Sequence, residues 1–163
     1  MDLRTQLRFD ADPATVFAML TDEEYIGRKA RAANAIRHEV SVIRDGDQVT
    51  IRLLRVMPPD VPDFVRRFVG DTIDLQQTDV WEPAAPDGSR TGTIAIDLVG
   101  APVTLRGTLS LTPDGAGSVM SIAGKIKASV PFVGGKIEQA VHSGLIEAAR
   151  REEQVGKEWL SSR

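Results

Sequence analysis

Pro131-Phe132-Val133-Gly134-Gly135-Lys136-Ile137-Glu138 opens the stretch whose reading decides the fold. Beyond Pro131 the pattern is helical for nearly 30 residues, which at 1.5 Å per residue is a helix of ~40 Å, long enough to span a whole domain. Ile137, Ala140, Val141, Leu145, Ala148, Val155 and Trp159 recur at spacings of three, four and seven and mark one apolar stripe, interrupted around Glu152. Glu147, Arg150, Arg151, Glu153 and Lys157 occupy the remainder. Such a helix needs an apolar surface to lie on.

Working back towards the N-terminus, the period changes to two. The segments 71–82, 91–98, 103–111 and 118–128 alternate, with turns at 83–90, 100–102 and 113–117. Before them, Ile36 to Val42 and Val49 to Arg55 form a hairpin about Asp45-Gly46-Asp47. Three prolines in Met57-Pro58-Pro59-Asp60-Val61-Pro62-Asp63 remove ladder donors and take the chain out of the sheet. The following apolar residues Phe64, Val65, Phe68 and Val69 suit a short helical lid.

At the start, Leu3, Thr5, Leu7 and Phe9 share one face of a half-buried strand. Asp12 as N-cap and Pro13 at the first helical position then begin a short helix, and Thr21-Asp22-Glu23-Glu24 begins a second, with Arg28, Lys29 and Arg31 towards its C-terminus. The reading is therefore α+β: about seven antiparallel strands curved around one long C-terminal helix, with two short helices after the first strand. Residues 1–163 are expected to form one domain.

Composition narrows the function classes. A net charge of -3 gives no field for phosphate backbones, so a nucleic-acid partner is not expected. The absence of cysteine removes disulfides, thiolate nucleophiles and cysteine metal sites. No apolar run approaches the ~20 residues of a membrane span, and Met1 to Gln6 has no signal-peptide core, which makes the cytoplasm the default compartment. Neither a metal nor a cofactor is expected. The two histidines lack a carboxylate at ligand spacing, and no serine sits in a Gly-x-Ser-x-Gly elbow. Oligomeric state is not readable.

Strand, two short helices, six strands and a long terminal helix is an order that resembles the START-like, polyketide cyclase and birch-pollen-allergen superfamily over essentially the full length. Phe9-Asp10-Ala11-Asp12-Pro13-Ala14-Thr15-Val16-Phe17 looks like the superfamily's first strand and helix start, and Pro131 to Glu138 like the start of its long helix. The proline-rich segment and Pro131 look closest to a member family of unknown function. The resemblance implies a helix-grip fold and a hydrophobic small molecule, lipid-, sterol- or polyketide-like, held between sheet and helix. Some members of the superfamily catalyse cyclisation or dehydration there.

If Ile36, Val40, Val42, Val49, Ile51, Leu53, Ile73, Leu75 and Trp81 face the concave side, the period of two sends His38, Arg55, Gln77 and Asp79 inward as well. Apolar walls with a few convergent polar groups are the usual pattern of a ligand site. Arg55 could hold a carboxylate and His38 or Asp79 could move a proton, or Arg55 and Asp79 could simply pair with each other. The expected lining is thus His38, Arg55, Gln77, Asp79, Ile51, Leu53 and Leu75 from the sheet, Phe64 and Phe68 from the lid, and Val141 and Leu145 from the long helix. Ala140, Gly144 and Ala148 leave room beside that helix. Three functions fit: a binder of a hydrophobic molecule gated by residues 57–69, a cyclase or dehydratase using His38 and Asp79 with Arg55 orienting the substrate, or an interaction module whose 57–69 flap recruits a protein.

Overall fold

The alternating residues at the N-terminus form β1 (Asp2–Phe9), with Leu3, Leu7 and Phe9 buried. A computed structural model describes the backbone of residues 1–163 and every side chain except that of Phe68. Two short helices follow, α1 (Pro13–Leu20) and α2 (Glu23–Ala32). Asp12 caps the first by accepting from the Thr15 amide, and Asp22 caps the second by accepting from the Glu24 and Tyr25 amides at 2.8 and 3.3 Å. At the other end of α2, Asn34 turns left-handed with φ of 69° while the Ala35 amide donates to the Ala30 carbonyl and the Asn34 amide to Arg31. This pair of bonds closes the helix.

The sheet continues with β2 (Arg37–Asp45), β3 (Gln48–Met57), β4 (Ile73–Trp81), β5 (Arg90–Leu98), β6 (Val103–Asp114) and β7 (Gly117–Ala128). Between β3 and β4 lies α3 (Asp63–Val69), and α4 (Gly134–Ser161) ends the fold. The seven strands run in the order β1-β7-β6-β5-β4-β3-β2, every neighbouring pair antiparallel. Only β1 is displaced from a simple meander, since it pairs with β7. The concave face wraps α4, and α1 and α2 pack at one end of the grip.

Two expectations from the sequence need correction. The turn expected at 113–117 is only two residues wide, because β6 runs through Pro113 to Asp114 before pairing resumes at Gly117. Strand β5 stops opposite Leu111, so the missing donor of Pro113 leaves no β5 carbonyl unpaired. Ile36, expected to face inward, precedes the first residue of β2 and is 64% exposed. The alternation holds only where the ladder holds.

The apolar side chains form two clusters. The larger joins Phe9, Phe17, Tyr25, Trp81, Leu109, Leu111 and Trp159. Here α4 comes close to β1: a Cβ on Gly156 would lie within 3.2 Å of Met19 Cε and overlap the Phe9 ring. The smaller cluster, of Val65, Leu98, Val103, Ala128 and Ile137, is covered by Val61, Phe64 and Val69 of the α3 segment. Replacing Asp22 by alanine is expected to cost about 1 kcal/mol in urea unfolding, because two α2 amides lose their acceptor. An unchanged midpoint would show that packing alone holds α2.

Candidate functional site

Between the concave face and α4, next to the smaller cluster, the structure leaves a cavity of about 280 Å³. That is close to the lower end of the ~300–1,000 Å³ found for small-molecule sites. Leu75, Ile96, Leu98 and Leu105 line it from the sheet, Ile137, Val141 and Leu145 from α4, and Val61, Val65 and Val69 from the α3 segment. Val65 and Val69, four apart, occupy one side of α3, and Val61 precedes the helix. Ala140, Gly144 and Ala148 also line it, and a Cβ added to Gly144 would meet no atom of the described residues within 4 Å. Small residues on α4 therefore border open space there and close packing at Gly156.

One cationic side chain from the sheet lines this apolar space. Arg55, in β3, is 9% exposed. Its Nη2 donates to Gln77 Oε1 at 2.8 Å, and Gln77 Nε2 in turn donates to both carboxylate oxygens of Asp79 at 3.1 Å. The three side chains form one relay across β3 and β4, in which an amide separates the cation from the anion. Arg55 Nε is buried and has no hydrogen-bond partner among the described residues.

Behind this relay stands a second charged pair. Lys29 of α2 reaches Glu152 of α4 at 3.1 Å, both side chains being largely shielded from solvent. The Tyr25 hydroxyl donates to the Glu152 carbonyl at 3.4 Å, and burial pushes its ionisation well above the ordinary tyrosine range. Burial also pushes the Asp79 carboxyl up to about 6, against the opposing pull of Lys29, the Gln77 hydrogen bond and Arg55. Burial lowers Arg55, whereas Glu152 and Asp79 favour its charged form.

The expected site residues separate into groups. Arg55, Leu75, Val141 and Leu145 line the cavity, with Gln77 and Asp79 linked to Arg55 outside the lining. Ile51 and Leu53 are buried in the larger cluster instead. Phe64 packs in the smaller cluster beside the lining valines. His38 sits opposite Arg55 in the β2–β3 register but lies against α2, its Nε2 3.0 Å from where a Cβ on Gly27 would stand. The side chain of Phe68 lies outside the described residues. At the α4 side of the cavity, Arg151 donates to the Ala32 carbonyl at 3.0 Å and to Glu147 at 3.2 Å, joining α4 to the end of α2.

Sequence reasoning misses Lys29 and Glu152. The interruption of the apolar stripe at Glu152 is the visible trace of the second, while Lys29 reads as an ordinary cation at a helix C-terminus.

Solved structures share this architecture. The lipid transfer and protein localization domain of human StarD13 aligns with a TM-score of 0.60 at 13% identity, covering 94% of this chain and 76% of that one. An aromatase/cyclase from Streptomyces sp. R1128 aligns with 0.61 at 10% identity, covering 96% and 90%. A START superfamily protein from Mycobacterium smegmatis aligns with 0.58 at 11% identity over 94% of each chain. In sequence, an uncharacterized protein of Mycobacterium tuberculosis is 29% identical over 120 residues, 72% of this chain and 68% of that protein. The helix-grip fold of the START-like superfamily is thus established, and because the model of a family of unknown function, DUF2505, matches residues 4–160, the chain belongs to that family.

Proposed function

We propose that the protein binds a hydrophobic small molecule, without chemical conversion, in the cavity between the sheet and α4. The observation that carries this reading is the 280 Å³ space itself, walled by aliphatic side chains from the sheet, α3 and α4 and bordered by Ala140, Gly144 and Ala148. Larger side chains at those three positions would fill it. The fold shared with a lipid transfer domain and an aromatase/cyclase supports the reading of a hydrophobic ligand.

Two observations favour binding over a cyclase or dehydratase. His38 and Asp79, the proton-transfer candidates, are not among the lining residues, and Asp79 is engaged by Gln77. A proton acceptor has to come within hydrogen-bond reach of the reacting atom. Among the described side chains of the 57–69 flap, Val65 is buried and Val61, Phe64 and Val69 pack against the smaller cluster, which favours a role facing the cavity over recruitment of a protein.

Native mass spectrometry of freshly purified protein, followed by organic extraction, tests the reading. The expected result is an apolar compound at one per chain, or, after delipidation, saturable uptake of fatty acids or naphthalene derivatives at micromolar concentration. A protein that neither retains nor takes up any such compound would refute it.

A further inference from the structure

We infer that the ligand is an apolar monocarboxylate, with its carboxylate on the guanidinium of Arg55 and its hydrocarbon part directed beneath α3. This rests on the cavity being a ligand site and adds the chemistry of the ligand's head.

Arg55 is more than nine-tenths buried and lines the cavity, yet no carboxylate among the described residues pairs with it directly. Gln77 takes one of its N–H groups, and Nε has no acceptor. A guanidinium carries five donors in a planar fork, and a buried donor left unmade costs free energy. The neighbouring cation, Lys29, differs in this respect because Glu152 meets it directly. The charged groups facing the guanidinium are Asp79 from β4, beyond the Gln77 amide, and Glu152 from α4, already held by Lys29.

A carboxylate matches the fork with two parallel bonds, which a hydroxyl or ether cannot do; a phosphate matches it too, but a space of about 280 Å³ that also holds the apolar part suits the smaller, singly charged head. From Arg55 the wall continues through Leu75 and Ile73 to Val65 and Val69 with no charged sheet residue in between, while Asp60, Glu147 and Arg151 stand elsewhere on the lining, so the part of the molecule that follows this wall is apolar. Asp79 supplies the means of accommodating the added negative charge. Its carboxyl is held near 6, so it can take up a proton when an anion arrives beside Arg55.

Isothermal titration calorimetry at neutral pH with two matched pairs, decanoate against decanol and naphthoate against naphthol, tests this. Each acid is expected to bind the wild-type protein at least about tenfold more tightly than its alcohol, the factor of one charge-assisted bond. In Arg55→Met, and in the milder Arg55→Gln, that ratio is expected to fall to within about twofold. Should the variants fail to fold, carboxyl-labelled decanoate in wild-type protein decides by NMR: its bound carboxylate should stay ionised at a pH where the free acid is half protonated.

Equal binding of acid and alcohol would overturn the carboxylate assignment and leave the hydrophobic-ligand reading standing. A preference that survives in both variants, or a bound acid that protonates no lower than the free one, would also overturn it. If no member of either pair binds, both fail together.

Discussion

Asp79→Asn is expected to make the protein more stable at neutral pH, although it removes a charge from a hydrogen-bonded relay. The carboxyl is 5% exposed, and burial raises its ionisation from 3.8 to about 6. The folded state therefore holds this proton more tightly than the unfolded chain does. Above pH 6 the group is ionised in both states and the folded state bears the cost, roughly 3 kcal/mol, since each tenfold difference in proton affinity is worth about 1.4 kcal/mol. As the pH falls through 6 towards 3.8 the folded state takes up the proton first, and that cost disappears. Asparagine imitates the protonated form throughout and still accepts from Gln77, but its own NH₂ group lacks a partner, which removes about 1 kcal/mol of the gain. Urea unfolding should find the variant about 2 kcal/mol more stable at pH 7.5, with the difference vanishing by about pH 4.5. If the variant is instead less stable at pH 7.5, attraction from Arg55 and Lys29 outweighs desolvation.

Asp79 also marks how far the sequence can be read. Period-two alternation identifies the face on which Arg55, Gln77 and Asp79 lie, because a strand's parity is local and the sheet is regular there. The long helix and the proline break after Met57 are legible for the same reason: each depends on residues close together in the chain. Parity does not say what lies above a given position. Ile51 and Leu53 share the face of Arg55 but are buried in the larger cluster, beyond the cavity. His38 shares it too, but the missing side chain of Gly27 lets it settle against α2.

The pairing of Lys29 with Glu152 spans more than a hundred residues of sequence and depends on how α2 docks on α4. No periodicity carries that information. The lid is recognisable as an apolar helix, and its lining side follows from spacing rather than from size. Val65 and Val69 stand four residues apart in α3, whereas Phe64 stands out only for its ring.

Gly144→Leu separates the stability of α4 from the capacity of the cavity. A helix gains up to about 1 kcal/mol when an interior glycine is replaced by a residue such as leucine, whose helix propensity is high. At Gly144 no described residue opposes that gain, since an added Cβ meets none of their atoms within 4 Å, and the larger side chain would occupy the volume beside Val141 and Leu145. The variant should melt a few degrees higher, as ~1 kcal/mol does in a protein of this size, while binding of decanoate or naphthoate weakens at least about thirtyfold. Gly156, twelve residues further along the same helix, provides the control. There a Cβ would run into the Phe9 ring and lie 3.2 Å from Met19 Cε, so Gly156→Ala should destabilise by about 1–3 kcal/mol through overpacking. Opposite signs at the two glycines would mean that α4 is a packed helix at one end and a cavity wall in its middle. A Gly144→Leu variant that binds as well as wild type would place the ligand elsewhere, however stable it proved.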